Sequence, residues 1–328
     1  MLKTDFSKVT DLFLVYPEGF ENHYSSLSPF IQKLVGIIPD SIHLFVIVNN
    51  SKAKNTICFK YPNKNMDVII IDGFNEIWLR DMMGFNVGDK IIRPYYHPNY
   101  CSCQFSFLDL IELDNNIDDI IKETINKPIE RMPIVMDGGS LVTNGNIGFI
   151  TKKILEDNRG LDEEKVIRII KEFLGIEPIV VDRYKHDKMG HTDGYMQFIN
   201  DDLLLVSQYP DMAFLSEDNK YLKYLEDIAL KNKMRIDLIY ERPIDEMGCC
   251  VYGEDKKCMY GSRGIYVNYL ALNNTVIIPE YTLPKSDKRD YNLINKEVFN
   301  QYFENVVSIN CDELSKFSGV LHCISWVN

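Results

Sequence analysis

Three short acidic signatures, each following an apolar run, recur at equal intervals: Trp78-Leu79-Arg80-Asp81, Asp137-Gly138-Gly139 and Gly190-His191-Thr192-Asp193, their last or first aspartates standing at 81, 137 and 193, or 56 residues apart. A fixed interval of about this size marks a repeated supersecondary unit rather than one continuous sheet. Gly261-Ser262-Arg263-Gly264 stands where a fourth turn of the pattern belongs, without a carboxylate, and Cys323 lies about two further intervals beyond Asp193. Five modules of a few strands and one helix, each sending one loop toward a common axis, account for this spacing. Sequence identity between modules is not detectable, so the repeat is one of layout.

Local patterning agrees with such modules. Short β-branched or aromatic runs at 11–16, 43–48, 66–71, 133–136, 148–151, 177–181, 196–199, 203–207, 234–240, 264–270, 275–279, 305–309 and 320–326 predict strands. Helical periodicity fits 27–35, 117–124, 163–174, 219–231 and 296–303. The fold class expected is therefore α/β. No Pro/Gly/Ser-rich linker divides the chain, and a single domain over residues 1–328 is expected.

Charge and cysteine usage narrow the function. A net charge of -12 with no Lys/Arg cluster excludes a nucleic-acid binder and suits a small cationic substrate. No run approaches the roughly 20 apolar residues that cross a bilayer, and residues 1–7 lack a basic start followed by an apolar stretch, so a soluble, cytoplasmic protein is expected. The eight cysteines read as thiols rather than a disulfide framework, and Cys249-Cys250 and Cys101-x-Cys103 lack the spacing of a zinc site. No metal and no cofactor is called for.

Taken singly, the polar residues are ambiguous. Cys323, in an apolar run near the C-terminus, reads alone as a small buried hydrophobe, although Gly319 before it permits close backbone approach of a ligand. His191 and Asp193, two apart, face one side in extended geometry and fit a metal site, a hydrogen-bonded loop or an acid–base pair. Asp81 and Asp137 each end an apolar run and fit a turn or a catalytic loop. Trp78 and Arg80 beside Asp81 suit a cation-binding lip, and Arg80 could equally pair with a structural carboxylate.

Together, the motifs Trp78-x-Arg80-Asp81, Asp137-Gly138-Gly139 followed by Asn158-Arg159, Gly190-His191-x-Asp193, Tyr266-Val267-Asn268-Tyr269 and Gly319 with His322-Cys323 occur in one order over nearly the whole chain. In this the chain resembles the guanidino-group-modifying (pentein) superfamily, in its agmatine deiminase and bacterial-type peptidylarginine deiminase branch. The resemblance implies a five-bladed α/β propeller with pseudo-fivefold layout around a central active site. It implies Cys323 as nucleophile, His191 as general acid/base, Asp137 as the group orienting His191, and Asp81 and Asp193 as carboxylates clamping the guanidinium. Trp78 at the lip and Arg263 in the fourth loop are further substrate-binding candidates, Arg263 as a partner for an arginine α-carboxylate.

The implied reaction is hydrolysis of a guanidinium group to a ureido product and ammonia through a Cys-thiouronium intermediate. The partner is a small cationic guanidino substrate, agmatine ahead of arginine and peptidyl-arginine, with a homo-oligomer left open. An amidinotransferase, a metallohydrolase using His191 and Asp193, and a non-catalytic binding protein on the same propeller are the competing readings. The branch usually carries Glu where this chain has Asp137, so the shorter side chain must move its strand or reach His191 differently. The segments after Asp81 and Cys323 also depart from the pattern, which leaves the substrate open.

Overall fold

The computed structural model describes residues 1–100, 105–244, 248–249, 253–257 and 262–328, with backbone only for 248–249 and 253–257. Cys101, Cys103, Cys250, Cys258 and Gly261 lie outside the described residues.

The organising unit is an antiparallel strand pair followed by a helix and a third strand that returns parallel to the second. Strands Phe85–Val87, Lys90–Tyr95 and Ile129–Val135 form the first such sheet, with helix Phe107–Thr124 as its crossover. Strands Leu141–Thr143, Ile147–Thr151 and Glu177–Val181 form the next, around helix Glu163–Leu174. The same order recurs in Met196–Phe198, Leu203–Gln208 and Arg235–Tyr240 with helix Ser216–Lys231, and in Leu270–Leu272, Thr275–Glu280 and Asn305–Asn310 with helix Tyr291–Phe299. Gly248–Cys249 and Gly253–Lys257 form a separate antiparallel pair, and a four-stranded sheet joins the two ends of the chain. Its strand Trp326–Val327 pairs antiparallel with Asp11–Val15, which is parallel to His43–Val48 after helix Ser28–Ile37, and helix Ser51–Lys60 then leads to a further parallel strand, Met66–Ile70. A parallel return needs a crossover long enough for a helix, which is why each unit spans some fifty residues.

Local chemistry sets the elements. In helix Glu163–Leu174, Val166, Ile169, Ile170 and Leu174 form one buried stripe, the Asp162 side chain accepts from the Lys165 N–H at 2.7 Å, and Gly175 ends the helix in the left-handed region at φ 71°. In the terminal sheet Leu12, Phe13 and Leu14 are fully buried, and Phe13 stacks on its register partner Phe45 with ring centroids 4.7 Å apart. Burying such side chains contributes about 1.5–3 kcal/mol each.

Two expected strands are not strands for most of their length. In 264–270 only Leu270 begins a strand; Gly264 takes φ 87°, and the N–H groups of Tyr266 and Val267 donate to the buried Glu241 carboxylate instead of to a neighbouring strand. In 320–326 only Trp326 does so; Ser318 is left-handed at φ 69°, and the N–H groups of His322 and Cys323 turn toward the Asn268 side chain. The helix expected at 296–303 begins earlier, at Tyr291, because Asp290 caps it. Strand Lys90–Tyr95 has no clear apolar pattern in the sequence, because a buried Arg93, paired with Asp114 and Asp118, interrupts it. Among the described residues, no helix is long and apolar enough to cross a membrane.

Candidate active site

Each of the five units is entered by a loop, and these loops carry the chemistry. Asp81 lies on the short helix Leu79–Met82 just before Phe85–Val87, and Asp137 just before the turn Gly138–Ser140 that leads into Leu141–Thr143. His191 and Asp193 precede Met196–Phe198, Asn268 precedes Leu270–Leu272, and Cys323 precedes Trp326–Val327. The equal intervals in the sequence are therefore the length of one unit.

The loops touch in a closed ring. The Arg80 N–H donates to the Cys323 carbonyl at 3.3 Å, and the Gly139 N–H donates to Asp81 Oδ1 at 2.9 Å. His191 Nε2 lies 3.0 Å from Asp137 Oδ2. Asn268 Nδ2 donates to the Asp193 carbonyl at 3.3 Å, and the Cys323 thiol donates to Asn268 Oδ1 at 3.4 Å. Gly139 sits at the point of convergence. A Cβ added there would lie 2.9 Å from Asp81 Oδ1, 2.9 Å from His191 Nδ1 and 3.2 Å from Asp193 Oδ2, so only glycine leaves room for all three groups. Asn158 braces the Asp137 loop from behind, its side chain both accepting from the Val135 N–H and donating to the Val135 carbonyl.

Burial and charge decide the protonation states. Asp81, Asp137, His191 and Asp193 are 7, 6, 5 and 1% exposed. Burial alone would lower the pKa of His191, but the carboxylates of Asp81, Asp137 and Asp193 overcome it and push it up to about 10. Burial raises Asp81 to about 7 against the nearby His191 cation, with Asp137 and Asp193 adding to the rise. Burial also pushes the Cys323 thiol far up, helped by the charges of Asp193 and Asp81; its sulfur is 3.9 Å from Asp193 Oδ2. The ring is thus an imidazolium held by carboxylates beside a protonated thiol.

A cavity of about 410 Å³ opens over the ring, with His191, Asp193, Asn268, Gly319 and Cys323 on its wall. Asp81 and Asp137 contact His191 but do not line it. Asp137 reaches Nε2 in spite of its shorter side chain. Trp78 is not on the wall either: its ring lies where a side chain at position 319 would be, and its Nε1–H donates to the Tyr24 hydroxyl at 2.8 Å. Arg263 is engaged away from the wall, with Nε 2.9 Å from Asp312 and Nη2 donating to the Thr282 carbonyl at 2.7 Å. Asn268 takes the fourth position in the ring. Neither it nor His322 carried a role in the sequence, since an amide and a second histidine signal nothing without their neighbours. Among the described residues no group of three or more His, Cys, Asp and Glu side chains is arranged to hold a metal ion.

Comparison with known proteins agrees with this architecture. A protein of solved structure, the agmatine deiminase of Enterococcus faecalis, superposes with a TM-score of 0.78 at 15% identity, covering 99% of this chain and 94% of that one. The C. jejuni agmatine deiminase gives 0.76 at 17% identity, covering 100% and 96%. In sequence, the agmatine deiminase of Pseudomonas syringae pv. syringae is 25% identical over 228 residues, 60% of this chain and 59% of that protein. The fold is that of the agmatine deiminases of solved structure. The chain belongs to the Porphyromonas-type peptidyl-arginine deiminase family, whose family model matches residues 1–327.

Proposed function

We propose that this protein is a hydrolase of C–N bonds that deiminates a small guanidinium substrate, agmatine in preference to arginine, through a covalent intermediate on Cys323. The observation that carries this reading is a thiol, an imidazole and one carboxylate, Asp193, together on one cavity wall, with the carboxylates of Asp81 and Asp137 against the imidazole behind it. Guanidinium is planar and cationic and is recognised by forked hydrogen bonds to carboxylates. Asp193 offers such a contact at the wall, and Asp81, behind it, completes the clamp as substrate enters.

The high thiol pKa gives the substrate a part in activation. A guanidinium placed between Asp193 and Cys323 offsets the carboxylate charge that keeps the thiol protonated, and so favours the thiolate, the thiol proton passing to solvent. The thiolate attacks the guanidinium carbon, forming the C–S bond. His191, held protonated by Asp137, gives its proton to the departing nitrogen, which leaves as ammonia. His191, now neutral, takes a proton from water, which adds to the thiouronium carbon. Collapse of that adduct breaks the C–S bond, and the hydroxyl proton passes to the leaving thiolate, which restores the thiol and leaves a ureido product.

Preference for agmatine rests on the outer part of the cavity. Tyr184, Tyr195, Tyr209 and Phe214 line it with Asp187 and Asp218, and among the described residues no lysine or arginine does. Such a wall suits an amine tail and offers an α-carboxylate no cation. The relatives named agmatine deiminases support the same choice. In this reading the five units close into a five-bladed propeller around the cavity, as the pairing of Trp326–Val327 with Asp11–Val15 favours, and the enzyme works in the cytoplasm as a single catalytic domain. The test is a panel of agmatine, arginine, methylated arginines and an arginine peptide, assayed for ureido product with wild type and Cys323→Ala in parallel. Agmatine should be turned over fastest and the variant should be inactive; equal turnover by the variant refutes the reading.

A further inference from the structure

His322 is next to the nucleophile in the chain, yet it is 3% exposed and points away from the cavity wall. Its Nδ1 lies 2.7 Å from Asp193 Oδ2 and its Nε2 3.3 Å from Asp5 Oδ2, while Asp5 Oδ1 lies 2.9 Å from Arg80 Nη2. Charges of alternating sign therefore run from the cavity wall to the amino-terminal segment, in the order Asp193, His322, Asp5, Arg80. That segment is tied down, with the Lys3 N–H donating to the Asn86 carbonyl at 2.8 Å and Leu2 bridging Val87. Beside this row is a void of about 10 Å³ lined by Asp5, Arg80, Gln197 and His322 among others. Three buried nitrogens belong to the same lining residues, Arg80 Nε, Gln197 Nε2 and His322 Nε2, and none has a hydrogen-bond partner among the described residues. Gln197 is itself 2% exposed.

We propose that His322 is a positioning residue, held as an imidazolium between Asp5 and Asp193 so that it fixes the Asp193 carboxylate at the cavity wall, with one ordered water in the adjoining void completing the polar shell of Arg80 and Gln197. A neutral ring carries one N–H and would turn its lone pair toward one of the two carboxylates; only the doubly protonated ring presents an N–H to both, hydrogen-bonded to Asp193 and facing Asp5 as an ion pair at 3.3 Å. Arg80 opposes that charge, and Asp5 and Asp193 favour it. Burial and Arg80 lower the pKa of His322, but Asp5 and the hydrogen bond to Asp193 outweigh them and leave it raised. Burial would raise Asp5, but Arg80 and His322 hold its carboxyl well below the usual range. The void has room for about one water, which needs two to four polar partners. A water can accept two of the N–H groups and donate to Asp5, whereas an anion would meet the Asp5 charge. The catalytic part of this inference rests on Asp193 acting as a substrate clamp.

Two measurements on the intact, ligand-free chain do not depend on that reading. In the 15N spectrum of histidine-labelled protein, with His322 assigned by its loss in His322→Gln, both ring nitrogens should be protonated at neutral pH and above; a neutral ring there overturns the proposal. A crystal structure should show one ordered water in the void, and a dry void overturns that part. The third test uses whichever guanidine of the panel is turned over. Asp5→Asn removes a charge that raises the His322 pKa, so it should lower the His322 titration and add a loss of kcat/KM with rising pH that wild type lacks. The loss should reach up to about 10²-fold, carried more by KM than by kcat, with Asp5→Glu restoring part of it. A profile parallel to that of wild type overturns the positioning role, while the deiminase reading still stands or falls with Cys323→Ala alone.

Discussion

His191 Nε2 lies 3.0 Å from Asp137 Oδ2, while the ring's other nitrogen is 3.8 Å from Asp81 Oδ1. Asp137 is therefore the closer anion and the one that sets the ring's orientation. Asp137→Asn keeps the shape but removes the charge, so His191 loses both its preferred tautomer and much of its raised pKa. The expected fall in kcat is roughly 10²–10⁴-fold, the span that acid–base catalysis contributes. Steady-state kinetics on the preferred guanidine measure it, and a kcat within about threefold of wild type would remove His191 and Asp137 from the chemistry.

The same charges make stability depend on pH. His191 has a folded pKa of about 10 against an ordinary value of 6.5, so the folded state binds its proton more tightly. Its contribution is fully present below the unfolded value and is lost as pH rises through the folded one. The raised Cys323 thiol acts in the same direction at the alkaline end. The thermal midpoint should fall as pH is raised from 6.5 toward 10, and fall less steeply in His191→Gln. Calorimetry across that window decides it; parallel curves for the two proteins would show that His191 carries no such linkage.

The alkylation chemistry of Cys323 runs opposite to its catalytic fate. In the free protein, burial and the charges of Asp193 and Asp81 keep the thiol protonated. Iodoacetamide should therefore modify Cys323 slowly near neutral pH, with a rate that climbs steadily into the alkaline range. Asp193→Asn removes a charge 3.9 Å from the sulfur. That variant should be alkylated faster than wild type at pH 8 while losing turnover. Mass spectrometry of the modified peptide gives the rate, and slower labelling in Asp193→Asn would contradict the electrostatic account.

The sequence carried the site better than it carried the strands around it. The interval between Asp81, Asp137 and Asp193 is the length of one hairpin, helix and returning strand, and so it could be read without any alignment. The fourth loop, expected at 261–264, reaches the ring a few residues later, at a side chain with no charge to mark it. Its contribution to the ring is the neutral Asn268, whose value comes from Cys323 on one side and Asp193 on the other. The runs 264–270 and 320–326 look like strands because they are apolar, and they are buried; what bends them is a side-chain partner for the backbone, Glu241 in one and Asn268 in the other, supplied from far along the chain. Asp5 was invisible for the same reason, since its meaning depends on Arg80 and His322.

Gly139 offers the most local test of the convergence. An alanine methyl there would lie 2.9 Å from both Asp81 Oδ1 and His191 Nδ1, closer than carbon and a polar atom can rest, so one or both must shift. Displacements of about 1 Å at reacting groups cost on the order of 10²-fold in rate. The fold should suffer less than the rate, because the clash falls on side-chain atoms at the cavity floor rather than on the sheet beneath. Gly160→Ala is the matched control, with nothing within 4 Å of the added methyl. Activity and urea denaturation measured on both variants separate the cases: Gly139→Ala should be nearly inactive yet folded, and Gly160→Ala should match wild type. Full activity in Gly139→Ala would mean that Asp81, His191 and Asp193 do not converge on this glycine.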